Sequence, residues 1–443
     1  MKICLTGDSI LFRRLNSLTD PKIAPLFDKI RSCDVSFTNL ELVPNDFEGD
    51  PALDMGGTHF GASSWVVDEL AEAGFDLFAA ATNHSLDYSI SGLRKTMEVL
   101  DQREILYSGI GKNLEEARRP AYATHPRGTV SMLSCVSTFA RGQEAADQTQ
   151  AMQGRPGINP LRYSTLHHVS AEEYERLGAL YARLGLQQVR DDKIQLGFAF
   201  PTPPGILAFE NLSFTIGDRT EVRTAPHPGD VAAIARWIGE ARMVSDTVIV
   251  SVHAHESGYN ESGVIDVETP AEFLVAFARR AIDEGADIVA AHGPHLLRGM
   301  EIYRGKPIFY SLGNFIGQNE LVERLPVESY AVNRVSTDLT PHRVYKARSN
   351  NDAKGFPAET RFWETVMPIC TYDKGVLTGI EIHPITLNLG PAAHVRGVPS
   401  LAGKEEGPRI LENFARLSAP FGTRFEAGGS EGAPTLSCTL SGA

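Results

Sequence analysis

Leu77-Phe78-Ala79-Ala80-Ala81-Thr82-Asn83-His84-Ser85-Leu86-Asp87 is the stretch on which the reading of this chain turns. Five apolar residues in a row suit a strand buried on both faces. The run then stops at an amide, an imidazole and, three residues later, a carboxylate. A strand end needs none of these for its own stability; a metal or proton-transfer site needs all three. The same grammar recurs on either side. Ile3–Thr6 leads into Gly7-Asp8, and Val35–Leu40 leads into Glu41. Thr247–Val252 leads into His253-Ala254-His255-Glu256, and Asp287–Ala291 into His292-Gly293-Pro294-His295. Open α/β sheets bind ligands at the carboxyl ends of their strands, so five strand ends deliver Asp, Glu, Asn and His toward one side.

Helical patterns fill the gaps between these strands. Pro21–Arg31 has apolar Ile23, Leu26, Phe27 and Ile30; Trp65–Ala73 can be capped by Ser63 or Ser64 and closed by Gly74; Ser91–Leu100 follows. Pro270–Glu284 begins on proline and stops at Gly285. This alternation predicts a layered α/β fold in one domain over 1–425. The rhythm breaks at 141–241, which opens polar and Gly/Pro-rich. A helix near Glu172–Leu186 and strands near Ile194–Phe200 and Phe209–Ile216 then read as an insertion or lid. A second irregular excursion covers 320–365. Arg409–Leu417 is a C-terminal helix, and 426–443 is Gly/Ser-rich and expected to be mobile.

Composition narrows the function classes. The chain has 443 residues, enough for a sizeable core, and a formal net charge of -13, which argues against nucleic acid and anionic membrane surfaces as partners. An anionic substrate, small or oligomeric, stays compatible, because bound cations invert the local field. The five cysteines are widely spaced with no CxxC pair, which argues against a thiolate zinc site and for reduced core thiols in a reducing compartment. No apolar run reaches the roughly 18 residues of a membrane span, and the first apolar run is too short for a signal peptide, so the expected address is the cytoplasm. No glycine-rich phosphate loop follows the first strand.

Carboxylate, amide oxygen and neutral imidazole together suit divalent Mn, Fe, Zn or Co. A carboxylate can bridge two such ions, and an ion pair can activate a water while stabilising charge on the leaving side. Arg155 and Arg162 flank a Pro/Gly turn, where they would either be solvated or clamp an anionic substrate. His167-His168, in the insertion, reads as a solvated pair.

Residue by residue, the chain resembles the CapA family, the poly-γ-glutamate (capsule) biosynthesis proteins within the calcineurin-like metallophosphatase superfamily. The matching pieces are Gly7-Asp8, Asn39-Leu40-Glu41, Ala81 through Tyr88, Gly92-Leu93, Val252-His253, Gly285-Ala286-Asp287, Gly293-Pro294-His295, and Lys306 through Phe315 with its Tyr-Ser-Leu-Gly-Asn-Phe. Arg409-Ile410-Leu411, Leu417-Ser418 and Gly422-Thr423 match as well. The resemblance implies a layered sandwich of mixed β-sheets flanked by helices, with a large insertion. It implies two divalent ions, manganese among the candidates, and hydrolysis of a phosphoester or related amide bond by metal-activated water. The alternative is a non-enzymatic component of poly-γ-glutamate or capsule polymer synthesis or export.

The resemblance also implies roles. Asp8 and His295 would hold the first metal, Glu41 would bridge, and Asn83, His253 and His292 would hold the second. His84 would act as proton donor or charge stabiliser for the leaving group, with Asp87 orienting its neighbours. From the residues alone, Asn314 fixes a turn near the site, and Asn314 and His255 are candidate substrate contacts. The chain departs from the wider superfamily at two places: Ile10 stands two after Asp8, and Gly293 stands two before His295, where imidazoles are usual. Either His292 or His255 would fill the second gap. The capsule proteins usually carry an N-terminal membrane anchor, and no such segment is read here.

Overall fold

The computed structural model describes residues 1–54, 57–260, 262–390, 394–430, 432–438 and 440. Two mixed β-sheets lie face to face. The first runs in the order Phe425–Ser430, Ala433–Cys438, Val376–Thr386, Glu364–Asp373, Lys2–Ile10, Val35–Leu40, Leu77–Ala79, Leu106–Ser108, with Asn314–Gly317 also pairing with Lys2–Ile10. The second runs Leu297–Tyr303, Lys306–Leu312, Ile288–His292, Thr247–His253, Gly128–Val136, Ala121–His125. Strands Lys2–Ile10, Val35–Leu40 and Leu77–Ala79 are mutually parallel, as are Gly128–Val136, Thr247–His253 and Ile288–His292.

Side-chain alternation explains how these strands are buried twice over. Ile3, Leu5, Val35, Phe37 and Leu77 from the first sheet meet Val130, Met132, Ile249, Ile288 and Phe309 from the second in one apolar layer. The opposite faces are covered by helices. Ala24–Arg31, Trp65–Ala73 and Ser89–Gln102 pack Phe27, Leu70 and Leu100 with Cys4 and Phe78. Pro228–Val244 and Glu272–Asp283 pack Ile238 and Phe277 with Val248, Val250 and Val252. The result is helix, sheet, sheet, helix: the α/β layered sandwich that the resemblance implies. Gly74 closes its helix in the left-handed conformation (φ 110°), where a side chain is disfavoured.

The same parity places the functional residues. Along Thr247–His253, Ile249 points into the inter-sheet layer, so His253, four residues on, points the same way. Ile288 and Ala290 do likewise for His292, and Val35 and Phe37 for Asn39. Apolar side chains therefore fill the layer until the carboxyl ends, where polar ones replace them.

The first excursion forms a separate four-stranded sheet, Leu207–Phe209, Leu212–Ile216, Tyr163–Val169, Glu221–Pro226, beside helices Ala171–Arg183 and Leu186–Gln195. Ser170 and Glu173 cap the first of these reciprocally. The strand expected at Ile194–Phe200 is absent: Ile194 lies in the helix Leu186–Gln195, held by Gln187–Asp191 and Gln188–Asp192 hydrogen bonds of 2.8 Å one turn apart. The excursion also ends earlier than 241, because Pro228–Val244 already belongs to the core. It docks on the core by stacking Tyr163 on Phe273, ring centroids 4.2 Å apart. His167 and His168 lie half-buried on its sheet, and His167 Nδ1 is 3.1 Å from the Ser213 carbonyl. The expected mobile tail is instead a hairpin, Phe425–Ser430 with Ala433–Cys438, whose second strand joins the first sheet at Glu381 and Ile382. Its glycines serve the tight pairing rather than disorder; residues 431, 439 and 441–443 lie outside the described residues. Among the described residues no helix is long and apolar enough to cross a membrane.

Candidate metal centre

Asp8 sits inside a strand that continues to Ile10. The register against both neighbours shifts around it, and such irregularities re-aim a side chain. The strand passes very close to the Leu312–Asn314 turn. A Cβ on Gly7 would lie 1.9 Å from the Gly313 carbonyl oxygen, and the Asp8 N–H donates to that oxygen at 2.9 Å. Only glycine at position 7 permits this approach. The fully buried Asp8 carboxylate accepts from Asn39 Nδ2 at 2.8 Å and from the Gly293 N–H at 3.1 Å.

Four imidazoles converge on Asp8 and Glu41. His292 Nδ1 and His253 Nδ1 lie 3.4 and 3.8 Å from Asp8 Oδ1. His295 Nδ1 lies 3.5 Å from Asp8 Oδ2 and 3.6 Å from Glu41 Oε2, and His253 Nε2 lies 3.7 Å from Glu41 Oε1. His253 Nε2 is 3.0 Å from His255 Nε2, and His253 Nδ1 is 3.1 Å from His292 Nδ1. Two groups emerge: Asp8, His253, His292 and Glu41, His255, His295, with ligand atoms of each within 4.8 Å of one another.

The partition therefore differs from the one the resemblance implied. His255 lies within reach of Glu41 and His295, and His253 and His292 lie beside Asp8. Both candidates for the missing imidazole, His292 and His255, fall within these groups, one in each. Position 293 contributes its N–H to Asp8, at φ 118°, a conformation that favours glycine over histidine. Ile10 is buried and lines the cavity beside His84. Asn83 is buried on the same turn as His84. His295 holds φ 62°, an uncommon conformation for a non-glycine residue of the kind found where function over-determines the backbone.

The donor set fits divalent cations. Burial, reinforced by the neighbouring imidazoles, pushes His253 well below the ordinary histidine range. Burial and then His295 take His255 down to about 3, and burial takes His292 down to about 4 against the pull of Asp8. Near neutral pH these rings are uncharged and present lone pairs. Burial and then the charge of Asp8 push the Glu41 carboxyl well up. Burial alone would raise Asp8 too, but the His295 hydrogen bond and the imidazoles around it hold it below the usual carboxylate range. Among the described residues, neither Glu41 oxygen has a hydrogen-bond partner. Two close carboxylates, one of them buried without a hydrogen-bond partner among the described residues and ringed by uncharged imidazoles, are an unfavourable arrangement alone and a complementary one around cations.

An outer ring of contacts fixes these groups. Ser251 Oγ is 2.7 Å from His292 Nε2, which leaves Nδ1 to face Asp8. Asn314 Oδ1 is 2.8 Å from His295 Nδ1. Asp87 Oδ2 is 2.7 Å from His84 Nδ1 and accepts from the Phe60 N–H at 2.7 Å, while the Phe60 ring stacks on His84 at 4.1 Å. His84 Nε2 consequently faces Glu41, 3.9 Å from Oε1. Sequence reasoning assigned no role to Asn39, Ser251 or Phe60. The parity of Asn39 with Phe37 and of Ser251 with His253 is the signal that could have found the first two.

Arg155 and Arg162 are not brought to the cluster. Arg155 donates to the Glu144 carbonyl at 2.9 and 3.0 Å, and Arg162 makes a bidentate pair with the buried Asp230 at 2.7 and 2.8 Å. The second excursion comes to the site instead. Tyr345, Arg348 and Phe356 line the small cavity above His84, His295 and Asn314, and the Phe356 ring meets His295 edge-on, centroids 5.2 Å apart.

A family model described as "Bacterial capsule synthesis protein PGA_cap" matches residues 2–319. Uncharacterized protein y4sH of Sinorhizobium fredii is 33% identical over 434 residues, covering 94% of this chain and 89% of that one. Capsule biosynthesis protein CapA of Bacillus anthracis is 23% identical over 258 residues, 58% of this chain and 44% of that one. A probable polyglutamine synthesis accessory protein of Mycobacterium tuberculosis is 28% identical over 245 residues, 55% of this chain and 45% of that one. The match thus spans less than half of the latter two relatives.

Proposed function

The chain belongs to the bacterial capsule synthesis protein family PGA_cap, and from that premise we propose that it is a metal-dependent hydrolase of a phosphate ester or a related bond such as an amide. The observation that carries this reading is the pair of ligand groups at facing strand ends. Asp8, His253 and His292 would hold one divalent ion, and Glu41, His255 and His295 a second. Asn83, on the adjoining turn, is a further candidate ligand. Bound ions would supply a nucleophilic water at neutral pH and stabilise the negative charge that develops on the substrate.

The remaining work falls to the chain's own side chains. Asp87 accepts from Nδ1 of His84, so Nε2, on the side of Glu41, is the nitrogen that would take up a proton and pass it to a leaving group. Phe60 stacked on the ring and the Phe60 N–H on Asp87 keep that orientation. Gly293 and Asn39 donate to the Asp8 carboxylate and so fix its orientation. The test is elemental analysis followed by a screen of metal-reconstituted protein against phosphomonoesters, phosphodiesters and γ-glutamyl or other amides. Turnover of one class that disappears in His253→Ala together with bound metal is expected. Full activity in a metal-free preparation would sink the reading.

A second reading has support from the names of the relatives, which speak of biosynthesis and of an accessory protein. In it the chain acts within a polymer-synthesis assembly through contacts. Copurification with a membrane ligase, and no turnover in the screen despite bound metal, is the outcome it requires.

A further inference from the structure

The cavity above the candidate metal centre does not end at Phe356. It shares Asn319, Tyr345, Arg348 and Phe356 with a second, larger cavity that continues outward along the second excursion and is also lined by Lys354 and Phe362. The arm that separates and joins them is the helix Pro341–Arg348 with the turn at Phe356–Ala358. Phe356 is fixed on both sides, edge-on to His295 at 5.2 Å and to Phe362 at 4.4 Å.

The charges lining this outer cavity do not cancel locally. Its three carboxylates are each ion-paired to cations of their own: Glu320 with Arg396 at 2.7 Å, Asp352 with Lys346 and Arg396, and Glu359 with Arg361 at 2.6 Å. Among the described residues neither Arg348 nor Lys354 makes an ion pair. Arg348 has a single long contact, Nη1 to Thr58 Oγ1 at 3.4 Å. Two solvent-exposed cations without ion pairs thus line, together with Phe356 and Phe362, a cavity that shares Arg348 and Phe356 with the one lined by His84 and His295, in a protein whose net charge is -13. A planar guanidinium and an ammonium on an apolar wall are the recognition elements for an oxyanion carried on an apolar or planar body.

We propose that Arg348 and Lys354 form a subsite for a second anionic group of the substrate, so that the molecule cleaved carries a carboxylate or phosphate in addition to the group presented to the metal centre. This rests on the hydrolase reading and sharpens it. The substrate is at least doubly anionic, its two charged ends are joined by a body that packs on Phe356, and the arm 341–358 selects it. Arg155 and Arg162, committed to Glu144 and Asp230, have no part in that selection.

The test uses two non-hydrolysable probes titrated calorimetrically into the metal-loaded protein: phenylphosphonate and 4-phosphonobenzoate, which differ only by the distal carboxylate. The wild type should bind 4-phosphonobenzoate on the order of 10-fold more tightly or better, the worth of a charge-assisted hydrogen bond. Arg348→Gln and Lys354→Gln should each erase most of that advantage with unchanged metal content and melting temperature. Equal binding of the two probes by a wild type that retains metal overturns the subsite alone. So does an advantage that survives both substitutions. If the protein retains no metal and neither probe binds, the hydrolase reading fails and the subsite with it.

Discussion

Glu41→Gln separates the two states of the proposed centre by sign. Glu41 is fully buried, its oxygens lack hydrogen-bond partners among the described residues, and burial with the Asp8 charge drives its carboxyl well up toward the neutral form. A glutamine of nearly the same shape removes a strained charge there, so the metal-free melting temperature should stay within about 2 °C of wild type or rise. With free ion at 100 times the dissociation constant, the wild type gains about 2.7 kcal/mol of stability. For a chain of this length that is roughly 3–5 °C, scaled down from the shift seen in smaller domains. The amide offers one neutral oxygen where the carboxylate offers two charged ones, and an affinity loss of about 100-fold or more is the minimum expected of a direct ligand. At the same ion concentration the variant then gains only about 0.4 kcal/mol from the Glu41 site, a shift of less than about 1 °C beyond what the ion at Asp8 contributes in both proteins. Differential scanning calorimetry with and without Mn(II) or Zn(II) reads all four values. A metal-induced shift in Glu41→Gln as large as in wild type refutes the assignment. A metal-free variant destabilised by several degrees refutes the claim that the orphaned carboxylate is kept for a cation.

Gly7→Ala should be the most damaging small change in the chain, because its methyl would sit 1.9 Å from the Gly313 oxygen; a loss of about 2–4 kcal/mol in urea denaturation and impaired metal binding are expected, and a wild-type midpoint would contradict the close approach. Asp87→Asn should keep bound metal but cut turnover of whichever substrate the screen finds by about 10- to 100-fold, since the amide cannot hold His84 as a carboxylate does; a parallel loss of metal would reassign Asp87. His383 is buried and taken from the ordinary 6.5 down to about 4 by burial and then by Lys29. Between those values the unfolded chain binds a proton that the folded ring refuses, so stability is full above pH 6.5, falls as pH drops toward 4, and is flat below. The loss is about 3 kcal/mol at most. His383→Gln should flatten that part of the pH–stability curve, and an identical curve would remove His383 from the account.

The strand ends were legible because alternation and the carboxyl-end rule are local. Asp8, Glu41, Asn83, His253, His292 and His295 each follow an apolar run that could only be a buried strand. What the sequence did not display is which atoms meet. Asp8 comes from one sheet while His253 and His292 come from the other, so the grouping depends on how the sheets stack, and His255 was left among substrate contacts for that reason. Arg155 and Arg162 read as free cations because their partners lie 11 and 68 residues away in sequence. The stretch around Ile194 suggests a strand because its short apolar spacing is ambiguous, whereas the i,i+4 amide–carboxylate pairs before it favour the helix that forms. The hairpin 425–438 was hidden by its glycines, which looked like a loose tail until the partner strand Val376–Thr386 was in place. The arm 341–358 carried no strand-end signal at all, yet it is what roofs the site.

The central claim is that two cations share the facing strand ends, one per ligand group. Anomalous-difference maps from crystals of the manganese- or zinc-loaded protein, recorded on either side of the metal edge, test it most directly. The account predicts two peaks, one within coordination distance of Asp8, His253 and His292 and the other of Glu41, His255 and His295. A map with no peak among these six residues, in protein that elemental analysis shows to contain metal, would contradict it.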